Sequence, residues 1–392
     1  MPKPESFGAG TFAITTDAGP YIAGSAITLG ISGIVGRPAF TVVGPGTIEN
    51  GIYQTPALTQ PTHATLIAAT PFDVALRELQ IVPPPAASQD IIAVASYGSG
   101  IALHRRSDFA LIGIVATDSP PGDVAISSAG NIYAPLTDAS TMLSITRSPW
   151  RIAPTAGVPL GNEVVVDNST GAIFVSNRDI GGRGGLTRIL ASNVQRIDTG
   201  ITAEGLALDE RSHRVYVGNI NDGSVLEVDT RTFLPVRRIK AVERTFGLAL
   251  DASGRNLFAV SNQNPQMRRG GGFVARIDLT SPAGRIAARS PNIPFPVGVA
   301  YDAKSSRVFA TDEDDGNVYV LDAVTLAQSH RPLPACGLPW RPRVDAAARR
   351  LYVPCARANK VAIFDLETLR QIRGSPFATG NYPLGVAIPN QR

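Results

Sequence analysis

The sequence predicts an all-β protein: a seven-bladed β-propeller preceded by a small β-sandwich. Three observations carry that expectation. A pattern returns seven times, starting at Gly122, Gly161, Gly205, Gly247, Gly298, Arg341 and Gly385, with separations of 39, 44, 42, 51, 43 and 44 residues. That is the period of a propeller blade. Each full copy reads as an alternating strand that ends on a turn, usually at Asp, followed by a second strand, as in GLALDERSHRVYVGN at 205–219. Finally, 38 Gly and 31 Pro among 392 residues, with 44% hydrophobic content, suit a packed core joined by many tight turns.

Residues 11 to about 82 lack the repeat. TFAIT, SAITLGISG, AFTVVG, HATLIAATP and LRELQIV alternate and are bounded by Gly and Pro, so residues 1–82 are expected to form two facing sheets. The prolines of VPPPAAS make 83–90 a stiff, extended linker.

The propeller is expected over 91–392. IIAVASYGSGIALHRRSDFALIGIV at 91–115 supplies the second, third and fourth strands of a blade without a first, while GVAIP at 385–389 is a first strand without successors. Together they complete one blade and close the ring, which removes open sheet edges. The other six blades begin near 122, 161, 205, 247, 298 and 341. Asp209, Asp251, Asp302 and Asp345 in the first hairpins, and Asp229, Asp322 and Asp365 before the fourth strands, are expected to cap turns with side-chain hydrogen bonds.

Two resemblances follow. GTIENGIYQTPAL, through Gly51, Tyr53 and Pro56, resembles the Gly-x-Tyr-x-x-Pro signature of bacterial immunoglobulin-like repeats, which implies a spacer or adhesive module. Tyr216-Val217-Gly218-Asn219 and Tyr352-Val353-Pro354-Cys355, over about 300 residues, resemble the tetrad of the YVTN propellers, although no blade carries the full Tyr-Val-Thr-Asn. That resemblance implies a bacterial periplasmic or otherwise secreted repeat protein, and a fold more than an activity. No stretch reaches the roughly 18 apolar residues of a membrane helix. The first residues lack the marks of a signal peptide, so the chain either stays in the cytoplasm or has lost a leader.

The formal charge is +4, and the excess belongs to the repeat region. This permits an anionic partner, nucleic acid included, without requiring one. Cys336 and Cys355 fall at the same end of one hairpin, which leaves both a disulfide and two buried thiols open.

Candidate sites gather where the loops leading into first strands meet those joining second to third strands. NRDIGGRGG at 177–185 and NQNPQMRRGGG at 262–272 are long and rich in Gly and Arg, residues that let backbone approach a ligand and fork onto carboxylate or phosphate. Arg178, Arg183, Arg268, Arg269 and Arg357, with Trp340 as a platform, form a candidate binding set. Asn219, Asn262 and Asp312 end second strands and, with Glu204, offer oxygens to a metal such as Ca²⁺. The same residues also read as turn and loop chemistry that repeats because the blade repeats. No catalytic constellation stands out. The leading expectation is a non-enzymatic exported scaffold that binds a protein or anionic polymer. A metal-dependent lactone hydrolase or lyase working at the channel mouth is one alternative, and a structural subunit of a surface or periplasmic assembly is another.

Overall fold

The computed structural model describes residues 12–16, 19–33, 37–178, 183–262 and 271–389. They fall into two compact units. One joins the chain up to Ala86 to Ile112–Asp118; the other joins Ala87–Leu111 to everything from Ser119 onward.

In the first unit, Thr62–Ala69 pairs antiparallel with Val74–Val82 on one side and Ala39–Val43 on the other. Tyr21–Ile22 joins Val74–Val82 in parallel, and Ile114 pairs in parallel with Tyr21. Thus Leu111–Val115, expected as the fourth strand of the shared blade, has Ile112 and beyond grouped with this unit. A second sheet orders Ala26–Thr28, Ile52–Gln54 and Thr47–Glu49. Tyr53 is fully buried and donates its hydroxyl to the Pro45 carbonyl, and burial pushes its pKa up to about 12.

The second unit is the propeller. Six blades are four-stranded antiparallel meanders. Their first strands are Ala125–Ile126, Gly161–Asp167, Ala203–Asp209, Thr245–Leu250, Pro296–Asp302 and Arg343–Asp345, here blades 2 to 7. In blade 1 the chain ends meet: Ala93, Val94 and Ala95 of Ile91–Ser96 pair with Ala387, Val386 and Gly385 of Pro383–Ala387. Each first strand packs beside that of the next blade, and blade 7 returns to Pro383–Ala387, so the ring closes.

Repeated chemistry makes the repeated shape. The turn aspartates behave as expected: Asp229, Asp322 and Asp365 each accept backbone N–H groups two and three residues ahead. Those hydrogen bonds, led by the ones from Thr232, Thr325 and Thr368, hold the three carboxyls below their ordinary range. Gly205 is required because a β-carbon there would sit 2.2 Å from the Phe246 carbonyl oxygen of the neighbouring blade. Arginines then grip the next blade's backbone: Arg188 donates to Thr230 and Arg231, Arg237 to Leu279, Ser281 and Pro282, Arg276 to Val324, and Arg307 to Leu366. Among the described residues no helix is long and apolar enough to cross a membrane.

Candidate functional site

The side chains facing the channel from the first strands depart most from the repeat. Counting back from the turn Asp, Gly205, Gly247 and Gly298 share one position, and Glu163 and Arg341 occupy that position in blades 3 and 7. Long charged groups therefore stand where blades 4, 5 and 6 have only glycine.

They meet across the ring. Arg341 donates to the Gly122 carbonyl at 2.8 Å, to Asn162 Oδ1 at 3.0 Å and to Glu204 Oε1 at 3.4 Å. Arg343 Nη2 bridges Asp123 and Glu163, each at 3.1 Å. At the mouth, Arg178 forks onto Glu204 through Nε at 3.1 Å and Nη2 at 2.8 Å. Three guanidiniums thus face three carboxylates, and Asp123, Glu163, Glu204 and Arg341 are all at most 6% exposed. Burial alone would raise Glu204, but Arg178 and then Arg341 outweigh it, and its pKa falls below the ordinary value. For Glu163 burial wins, and repulsion from Asp123 adds to it, so that carboxyl is raised despite Arg343 and Arg341. The network leaves a void of about 10 Å³ lined by Glu163, Glu204, Phe246, Arg341 and Arg343 among others, about the size of one water.

Above this plug lies the loop-bearing face. Arg178 keeps 43% of its side chain exposed although it neutralises Glu204. Tyr97 and Tyr382 are 41% and 37% exposed, with rings edge to face at 6.3 Å. Trp340 is half-buried, its ring 6.3 Å from Phe246 and 5.6 Å from the Arg341 guanidinium, and its buried indole N–H finds no partner among the described residues. Arg183, Arg357 and Lys360 are exposed. Arg268 and Arg269 lie outside the described residues.

Of the oxygens proposed for a metal, those of Glu204 and Asp312 have other partners, while among the described residues Asn219 Oδ1 and Asn262 Oδ1 have none. Both Glu204 oxygens accept from arginine. Asp312 accepts from the Phe295, Asp314 and Asp315 amides, and Asn219 Nδ2 donates to Ser224 Oγ at 3.3 Å. Asn262 has no side-chain partner among the described residues. Its expected equivalence to the others needs correcting by one residue: the ladder places Ser261 opposite Thr245, as Asn219 lies opposite Ala203 and Asp312 opposite Pro296. Among the described residues no group of three or more His, Cys, Asp or Glu side chains is placed to hold a metal.

The in-register position has one repeated use, tying the end of the second strand to the loop that leads into the first. Asn177 donates to the Pro159 carbonyl, Ser261 to that of Glu243, and Asp312 accepts from Phe295. In blade 7 the position is Cys355, and its tie is a disulfide to Cys336, with Cα atoms 5.7 Å apart. Of the two readings open at the cysteines, the structure shows the bridge.

A shallow groove of about 330 Å³ is lined by Gln89, Asp90, Arg105, Arg106 and Ser107. Although larger than the channel void, it has its charges spent in pairs, Arg105 with Asp108 and Arg106 with Asp90 and Asp345. The mouth, with partly exposed aromatic surface, is the better candidate.

Sequence reasoning reached Glu204, Arg178 and Trp340, but missed Asp123, Glu163, Arg341, Arg343 and Tyr97. The signal for two of these was present, since Glu163 and Arg341 break a repeat position otherwise held by Gly205, Gly247 and Gly298.

No protein-family model matches the chain, and no curated protein is similar to it in sequence. Solved structures are similar in fold. A functionally unknown protein from Desulfotomaculum acetoxidans superposes with a TM-score of 0.62 at 12% identity, over 77% of this chain and 100% of that one. A protein described as a 6-phosphogluconolactonase from Bacteroides uniformis gives 0.61 at 11% identity, over 76% and 98%. Hydrazine synthase from Kuenenia stuttgartiensis gives 0.56 at 15% identity, over 70% and 91%. At such identities the likeness shows the fold, and the chain is an all-β propeller of that kind.

Proposed function

We propose that this chain is an exported, non-enzymatic interaction protein that binds a protein partner through the loop-bearing face of its propeller. One observation carries the reading: Tyr97, Tyr382, Trp340 and Arg178 stand partly exposed around a channel mouth filled from below by ion pairs. A void of about 10 Å³ is far smaller than the several hundred Å³ of a small-molecule pocket, so a ligand of this face lies on the surface. Partly exposed Tyr, Trp and Arg are the residues that dominate protein interfaces.

Charge separates the two macromolecular partners. A polyanion needs a continuous run of unpaired cations, yet Arg178 is engaged with Glu204, Arg238 with Asp222, and Arg196 with Asp198, which leaves Arg183, Arg357 and Lys360 exposed among them. Blade 6 adds Asp314 and Asp315 to the same face. A mixed surface of this kind suits a protein better than nucleic acid or another polyanion. The disulfide supports export, since such bonds persist in oxidising compartments. The YVTN and immunoglobulin-like resemblances point the same way, toward a periplasmic or cell-surface scaffold carried on a spacer module.

Photo-crosslinking residues placed at Tyr97 and Tyr382, in an envelope extract of the source organism, should capture one protein species that the same residue at Ser253 does not. Trp340→Ala should then weaken that protein's binding about 30-fold, the loss expected for a hot spot of about 2 kcal/mol. Crosslinks only from Ser253, or tight retention on an immobilised polyanion with no protein captured, would overturn the reading.

A further inference from the structure

We propose that the Cys336–Cys355 disulfide is a redox-sensitive latch on the recognition face, holding Trp340 and Arg357 in place while the ring itself stands without it. The proposal rests on the reading of the mouth as a partner face only for its consequence in binding. The latch itself follows from how blade 7 departs from the other blades.

Three blades make the tie between second strand and leading loop with a hydrogen bond donated by Asn177 or Ser261 or accepted by Asp312. Blade 7 alone makes it with a covalent bond that a reductant can remove. The residues on either side of that bond are the ones the face offers to a partner. Trp340 follows Cys336 by four positions, and Arg357 follows Cys355 by two, inside a short 3-10 turn at Ala356–Ala358. The two stretches also touch: Arg357 Cβ lies 3.3 Å from where a β-carbon on Gly337 would sit, and Arg357 donates its N–H to the Gly337 carbonyl at 3.2 Å. Ala356 N–H donates to the Leu338 carbonyl at 2.9 Å, and Leu338 has a φ of +53°, a conformation that side-chain-bearing residues hold only when their surroundings enforce it.

The ring has other fastenings. Arg341 and Arg343 are anchored across the channel to blades 2, 3 and 4. Blade 7 is clamped to blade 6 by the Arg349–Asp302 pair and to blade 1 by Arg106–Asp345. Cleavage of the disulfide therefore frees a short segment and leaves the architecture held. Cys336 is half-buried and Cys355 fully buried, so a reductant meets Cys336 first. A dithiol attacks its sulfur, Cys355 departs as thiolate and takes up a proton, and the mixed disulfide closes as the donor's own disulfide. Two electrons and two protons pass to this chain.

Hydrogen exchange by mass spectrometry, on the full chain before and after treatment with dithiothreitol, tests this without any partner. Expected is reduction in the folded state, with exchange at least about 10-fold faster in 337–342 and 355–359, and no change in the first strands of blades 3 and 4. The Cys336→Ser/Cys355→Ser variant should reproduce the reduced pattern, and acrylamide quenching of Trp340, read in a Trp150→Phe background, should rise. Unchanged exchange, a bond that resists dithiothreitol until the chain unfolds, or global unfolding on reduction would each overturn the latch. Failure to find a partner at the mouth would leave these readouts intact, so the two proposals fail separately.

Discussion

Glu204 shows why single residues of this chain are hard to read alone. It breaks the blade repeat and so attracts attention, but its partners Arg178 and Arg341 are 26 and 137 residues away, and no spacing rule joins them. A carboxylate 2% exposed and held by two guanidiniums has exchanged water for a network, and the network is favourable only while complete. Glu204→Ala is therefore expected to destabilise the propeller by about 3 kcal/mol, because it leaves Arg341 buried beside a missing charge. Urea unfolding at pH 7 checks this. Loss below about 0.5 kcal/mol would mean that the arginines re-pair or hydrate at no cost.

At the scale of the element, the sequence shows which strands exist and hides how their ends are fastened. Blade positions, turn aspartates and the shared blade were legible because each repeats, or completes a repeat, along the chain. The ties at Asn177, Ser261, Asp312 and Cys355 were not, because one position is filled by four chemistries; the Asn at 262 drew attention one residue past the true register. The tie at Asp312 has a pH signature. Burial raises its carboxyl to about 6, despite the backbone N–H groups it accepts, and Asp315 pushes the same way. A raised carboxyl binds its proton more tightly in the folded state, so its stabilising contribution is complete below the ordinary value near 4 and is lost as pH rises through about 6. The side chain is fully buried, and a rise from about 4 to about 6 corresponds to a loss of about 3 kcal/mol. Carbon-detected NMR of the Asp312 carboxyl should show a midpoint near 6, and a midpoint near 4 would remove the effect.

For the whole molecule, closure decides whether the blades act as one body. Six blades are continuous in sequence, but the first is completed from both chain ends, where Pro383–Ala387 lies against Ile91–Ser96, with Tyr97 N–H donating to the Tyr382 carbonyl and Gly98 N–H to that of Asn381. Around this seam, His104 bonds Thr379 at 2.9 Å and the Phe109 carbonyl at 3.0 Å. Burial holds its pKa down to about 4, so the ring stays neutral at physiological pH. Without the closing strand, Ile91–Ser96, buried at every position, would present an unpaired apolar edge. A chain ending at Asn381 is therefore expected to unfold at lower urea, lose cooperativity and self-associate. A synthetic peptide of residues 381–389 should restore monomeric behaviour by adding the missing strand in trans, as donated strands do at other open edges. The scrambled peptide should not. A truncated chain whose urea midpoint matches that of the intact protein would show that the blades hold together without the seam, and that closure serves only to cover an edge.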